Sequence, residues 1–278
     1  MDELTGRVAV VTGAASGIGR ALAQRWAAEG MRVVMADVEK GALGEAADAL
    51  REEGGEVLAV PTDVSDPVQV EALAEAAADA YGGVHLLCNN AGVATGGPVS
   101  ELGLDDWRWI LGVNLWGVIH GLRAFLPGML ASGEEGHVVN TASMAGLLGG
   151  PWLAPYSASK FAVVGISQSL YYELASTRVG VSVLCPGWVN TNIATSYRNR
   201  PVHLGGSLPE NEGGPMAEVV AQLLAGGMAP SEVADHVADA VRRRRFWILT
   251  HSEMLPVIEG QTSALAAGEN PPPFSFPT

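Results

Sequence analysis

The chain has 278 residues, enough to bury a sizeable core and within the range of a single α/β domain. A composition of 48% hydrophobic residues with 35 glycines suits a compact, many-turned enzyme rather than a disordered or fibrous chain. The formal net charge of -14 repels phosphate backbones and anionic membranes, so neither nucleic acid nor a lipid surface is expected as a partner.

The N-terminus passes from Met1-Asp2-Glu3 directly into an apolar strand, with no room for a signal peptide. No run approaches the roughly 18 uninterrupted apolar residues of a membrane span. The two cysteines, Cys88 and Cys185, each end an apolar run and read as buried thiols of a reducing compartment. A cytoplasmic location is expected. The histidines show no metal-ligand spacing, and no metal is expected.

Strands are expected at residues 8–11, 32–36, 56–61, 84–88, 137–141, 179–184 and 246–249. Between them, helical periodicity marks residues 18–29, 43–53, 68–81, 105–130 and 155–177. Near-continuous apolar strands alternating with helices imply one domain built on a parallel sheet of about seven strands, doubly wound and covered on both faces. The domain is expected over residues 1–260. The Gly-, Pro-, Asn- and Arg-rich stretch 198–215 suggests a binding loop or lid within about 190–230. Residues 261–278, with a Pro-rich end, read as a flexible tail or an arm lying on a neighbouring subunit.

Where the first strand meets the first helix the chain reads Thr12-Gly13-Ala14-Ala15-Ser16-Gly17-Ile18-Gly19. Glycines there let the backbone turn tightly and approach a pyrophosphate, whose charge is favoured by the helix N-terminus. The acid expected about 20 residues further on is Asp37, at the end of the second strand. A carboxylate at that place can accept both hydrogen bonds of an adenosine ribose diol and repels a 2′-phosphate. Neither Ser16 nor Val38 supplies a cation for such a phosphate. NAD(H) is therefore expected over NADP(H).

Lys160 is one of only two lysines, against fourteen arginines, and lies in an otherwise apolar helix four residues after Tyr156. That spacing puts both on one helical face. Oxidising a secondary alcohol requires loss of a hydride together with loss of the hydroxyl proton. A phenol, with its pKa near 10, becomes a base at neutral pH once a nearby cation stabilises the phenolate by roughly 3 to 4 kcal/mol. Ser143 follows the 137–141 strand and could fix the substrate oxygen against Tyr156. Asn114 falls on the apolar stripe Trp107, Ile110, Leu111, Asn114, Leu115, Val118. It reads either as a satisfied core amide or as part of a water-holding relay to Lys160.

Together these residues resemble the short-chain dehydrogenase/reductase family, over about residues 5 to 190. The matching elements are the Thr12-to-Gly19 loop, Asp63-Val64, Asn89-Asn90-Ala91-Gly92, Asn114, Ser143, Tyr156 with Lys160, and Pro186-Gly187. The resemblance implies a Rossmann-like fold and a cofactor site holding Gly13, Ser16, Gly17, Ile18 and Gly19. It implies that Asp63 and Val64 hold the adenine, while Asn90, Ala91, Gly92 and Thr141 line the cofactor cleft. Lys160 would bind the nicotinamide ribose as well as act on Tyr156. Beyond Pro186 and Gly187, Val189 and Thr191 would meet the nicotinamide carboxamide. The family commonly ends in a Gly-rich strand at a tetramer interface, whereas this chain reads Arg242-Arg243-Arg244-Arg245-Phe246-Trp247-Ile248-Leu249-Thr250. A homo-oligomer is expected, dimer or tetramer, with the 105–130 and 155–177 helices fit for a dimer interface.

Trp152, Trp188 and Tyr197, with Met144 and Leu153, flank the expected pocket and suggest an apolar, aromatic or alicyclic secondary alcohol or ketone. The expected activity is that of an NAD(H)-dependent alcohol dehydrogenase or ketone reductase acting on a small molecule. The alternatives are epimerisation or dehydration on the same fold, or a non-catalytic dinucleotide-binding sensor.

Overall fold

The structure, a computed structural model, describes residue 1, residues 3–206 and residues 214–273. Seven strands form one sheet: β1 (Val8–Thr12), β2 (Arg32–Asp37), β3 (Val57–Pro61), β4 (Leu86–Asn89), β5 (Gly136–Thr141), β6 (Val179–Cys185) and β7 (Trp247–Leu249). They lie in the order β3-β2-β1-β4-β5-β6-β7, and every pairing is parallel. All seven overlap the strands expected from the sequence, since a strand covered on both faces reads as an unbroken apolar run. The order reverses between β1 and β4, which opens a crevice at their carboxyl ends, where open α/β sheets take their ligands.

Alternate residues of β1 feed two cores. Ala9 and Val11 pack with Leu22 and Trp26 of α1 (Gly17–Ala28), Leu43 and Leu50 of α2 (Lys40–Glu52), and Val237 of the later α8 (Pro230–Arg243). Val8 and Val10 pack with Val70 and Leu73 of α3 (Pro67–Tyr81), Phe125 of α5 (Gly117–Ala131) and Leu170 of α6 (Ala154–Glu173).

The expected 105–130 helix is broken in a way the sequence does not announce. Helix α4 (Leu104–Leu111) passes into α5 through a π-helical turn, Gly112–Trp116, with Asn114 at its centre. Such a turn carries an extra residue, so the helical stripe changes phase across it. Trp109, rather than Trp107, is the buried tryptophan of α4. The continuous stretch Leu104–Ala131 is long and apolar enough, by length and composition, to cross a membrane. It passes that test although Asn114, His120 and Arg123 interrupt the run, and it packs Trp109, Ile110, Val118, Phe125 and Met129 into the interior.

Three further helices were not marked by the sequence reading: α7 (Gly214–Ala225), α8 and α9 (Leu255–Ala267). The expected tail boundary at 260/261 therefore falls inside α9, and Pro272 lies back against Gly260. Of the expected lid, residues 192–199 and 202–204 form short 3-10 turns, and residues 207–213 lie outside the described residues. Each of the four consecutive arginines meets a carboxylate: Arg242 with Glu29, Arg243 and Arg245 with Asp239, and Arg244 with Glu135.

Candidate active site

At the end of β1 the glycine loop turns into α1 beneath the crevice. Gly13 has φ of +67°, a conformation that glycine adopts without strain, and a Cβ there would stand 2.8 Å from the Ala91 Cα. Gly19 is required by space alone, since its Cβ would lie 2.0 Å from the Gly13 carbonyl oxygen. Ser16 is the N-cap of α1 but makes no side-chain capping bond, and the first turn carries no acid. The open N–H groups and the positive end of the helix dipole thus face the crevice, as a pyrophosphate requires. Asn90 braces this loop: its Nδ2 donates to the Thr12 carbonyl at 3.0 Å, and its Oδ1 accepts from the Thr141 hydroxyl at 3.3 Å.

Gly13, Ser16, Gly17, Ile18, Gly19, Asp37, Asp63, Val64, Asn90, Ala91, Gly92, Thr141, Tyr156, Lys160, Pro186 and Thr191 line one continuous cleft. Of the expected cofactor residues, Gly187 and Val189 are not part of its wall. The Asp37 carboxylate sits at the end of the cleft where the sequence places the adenosine, accepting from the Ala15 N–H and the Glu39 N–H, each at 3.0 Å. Asp63 accepts from both the backbone and the hydroxyl of Ser65. Bare glycines, an uncapped helix N-terminus and a carboxylate beyond them fit a dinucleotide.

The chemistry-bearing groups gather at the far end of this cleft. Lys160 is buried on α6, donates to the Thr141 carbonyl at 3.0 Å, and lies 5.6 Å from the centroid of the Tyr156 ring. Gly92 lies against its ammonium, since a Cβ there would stand in ordinary contact with the Lys160 Nζ at 3.5 Å. Burial pulls the Lys160 ammonium down to about 8. For Tyr156, burial pushes the phenol up from its ordinary value, and a hydrogen bond with Ser143 opposes that. The expected lowering of the phenol by the nearby ammonium is not seen; desolvation of the phenolate sets the direction, with Ser143 as the opposing influence.

Ser143, buried just after β5, has its hydroxyl 3.4 Å from the Pro186 carbonyl and accepts from the Ala145 N–H at 3.1 Å. Asn114 is fully buried, and its amide is committed. Oδ1 accepts from the Val93 N–H at 2.8 Å, while Nδ2 donates to the Val93 carbonyl and the Ser159 hydroxyl. Its side chain therefore ties α6 to the chain that leaves β4.

Residues expected to touch substrate scatter. Met144 is buried in the core beside Val163 and Val183. Trp152 is 46% exposed and adopts φ of +62°, a strained conformation for a bulky side chain, with its carbonyl accepting from the Gly97 N–H. The Trp188 carbonyl accepts from the Met228 N–H. Tyr197 packs on a small cluster of Val93, Trp109 and Ile110. None of these four lines the cleft.

The loop between 191 and 204 instead crosses the cleft toward its adenosine end. Arg198 pairs with Glu39, whose carboxylate also accepts from Asn199, and Arg200 pairs with Asp106. Sequence reasoning missed Glu39, Trp109, Ile193 and Leu204 in the cleft wall. Trp109 carried a signal, a ring beside the Asn114 stripe. Glu39 carried none, because its partners lie about 160 residues away.

Comparison with known proteins accords with this geometry. Residues 7–201 match the short chain dehydrogenase family. A 1-deoxy-11-beta-hydroxypentalenate dehydrogenase of Streptomyces exfoliatus is 40% identical over 253 residues, covering 90% of this chain and 85% of its own. A CLA biosynthesis dehydrogenase/reductase of Lactiplantibacillus plantarum is 32% identical over 277 residues, covering 98% and 97%. The crystal structure of a short chain dehydrogenase/reductase from Burkholderia phymatum, in complex with NAD, superposes with a TM-score of 0.95 at 44% identity, covering 99% of this chain and 100% of that one. The chain belongs to the short-chain dehydrogenase/reductase family of oxidoreductases.

Proposed function

We propose that the chain interconverts a secondary alcohol and a ketone with NAD(H), using Tyr156 as the general acid and base. The observation that carries this reading is the placement of Tyr156 and Lys160 on one face of α6, at the reaction end of a dinucleotide-shaped cleft, with the Ser143 hydroxyl beside the phenol. The bound nicotinamide would accept the hydride in oxidation and donate it in reduction.

The chain's own residues handle the proton. In reduction Tyr156 gives its phenolic proton to the carbonyl oxygen as that oxygen gains charge; in oxidation the phenolate takes the hydroxyl proton. Ser143 would hold the same oxygen by a hydrogen bond. Lys160, with its ammonium held down to about 8, is still charged at neutral pH and supports the phenolate. With the phenol pushed up, the protein rests in the form that donates a proton.

Asp37 at the ribose end supports NAD(H) over NADP(H), since its carboxylate would repel a 2′-phosphate. Arg198 approaches that end of the cleft, but its charge is already paired with Glu39. The relative crystallised with NAD leans the same way, and the relative named as a hydroxypentalenate dehydrogenase supports alcohol chemistry. Val93, Trp109, Ile193 and Leu204 give the cleft an apolar wall, which suits an aromatic or alicyclic substrate. Exposed Trp116 on the π turn and Phe161 on α6 support a homo-oligomer. Two free buried cysteines support a cytoplasmic location. A panel of secondary alcohols and ketones, assayed with NAD(H) and NADP(H) by nicotinamide absorbance, tests the reading. Turnover only with NADP(H), or none on any member, would sink it.

A further inference from the structure

We propose that His251, in the segment following the edge strand β7, is a positioning residue that sets residues 186–191 against the reaction end of the cleft; the inference rests on the nicotinamide reading above. His251 is buried and clasps that strip from behind. Its Nδ1 accepts from the Gly187 N–H at 3.1 Å, with the Thr250 hydroxyl 2.7 Å away, and its Nε2 lies 3.0 Å from the Trp188 carbonyl. A carbonyl can only accept, so Nε2 carries the ring proton and Nδ1 accepts from both neighbours.

The fit is close. A Cβ on Gly187 would stand 2.7 Å from the imidazole, so the ring at 251 as placed requires glycine at 187. The strip held in this way touches the site at both ends. The Pro186 carbonyl accepts from the Met144 N–H at 2.9 Å and stands 3.4 Å from the Ser143 hydroxyl. At the other end, Thr191 lies beside Gly17 of the glycine loop, 3.0 Å from where a Cβ would be. A shift of Gly187 and Trp188 therefore moves the Ser143 backstop and the wall facing Gly17 together, whereas the Asp37 carboxylate is held by other groups, the Ala15 and Glu39 N–H. The C-terminal segment that departs from the family pattern thus has a task at the reaction end.

The test compares NADH with ADP-ribose, which carries every part of the cofactor except the nicotinamide. In His251→Leu, which removes both hydrogen bonds, the NADH Kd is expected to rise about tenfold, the equivalent of one lost hydrogen bond. The ADP-ribose Kd should stay within about twofold. His251→Asn keeps an acceptor for the Gly187 N–H and should recover part of the NADH loss. Equal weakening of both ligands, or unchanged NADH binding in His251→Leu, would overturn the proposal and assign His251 to stability alone. A wild-type protein that binds neither ligand would instead overturn the underlying cofactor reading.

Discussion

Lys160→Met should make the protein more stable while removing its activity. The ammonium is buried, and burial holds it at about 8 against 10.5 in the open chain. At about 1.4 kcal/mol per pH unit, that depression costs the folded state about 3 kcal/mol. Methionine of similar length removes the charge but leaves the Thr141 carbonyl without its donor, a loss of about 1 kcal/mol. A net gain of about 2 kcal/mol remains, or a Tm rise of about 3–4 °C for a chain of this size. Below pH 8 the lysine is charged in both folded and unfolded states, so the cost is fully present. Between 8 and 10.5 the unfolded chain binds more protons, and the wild type gains stability as pH rises. The advantage of Lys160→Met should therefore fade across that window. Thermal melts of both proteins at pH 7, 9 and 10.5 read this out. A variant less stable than wild type at pH 7, or a difference that ignores pH, would refute the reasoning.

Gly19→Ala should abolish NADH binding and lower Tm, because its Cβ would meet the Gly13 carbonyl at 2.0 Å; calorimetric titration and melting check it. Asp37→Asn keeps a possible acceptor for the Ala15 N–H but removes the charge, so the ratio of kcat/KM for NADPH over NADH should rise about tenfold. An unchanged ratio would separate Asp37 from cofactor choice. Because burial raises the Tyr156 phenol, ketone reduction should hold through neutral pH and fall in alkali, while alcohol oxidation rises. Initial rates in both directions across pH 6 to 10 check the sign, and a reductive rate that climbs with pH would contradict it.

The β-strands and the glycine loop were legible because their signals are local: unbroken apolar runs, and glycines where the backbone turns. Tyr156 and Lys160 were legible because four residues on a helix make neighbours. The phase change at Asn114 was not, since a π turn leaves no local mark, and the stripe was extended straight through to Trp107. Helix α8 does carry local signals, Pro230 at its start and Val233, Val237 and Val241 at helical spacing. Contacts between distant parts of the chain could not be read at all. Arg198 with Glu39 and His251 with Gly187 are joined only by folding, so nothing in the loop near 200 announces that Arg198 and Arg200 are paired with carboxylates.

The central claim is that Tyr156 moves the proton, and Tyr156→Phe tests it most directly. The ring and its packing stay and only the hydroxyl is lost. The account predicts NADH binding within about twofold of wild type and turnover of a secondary alcohol or ketone reduced by about 10² to 10⁴. Near-normal turnover on every accepted substrate would contradict it.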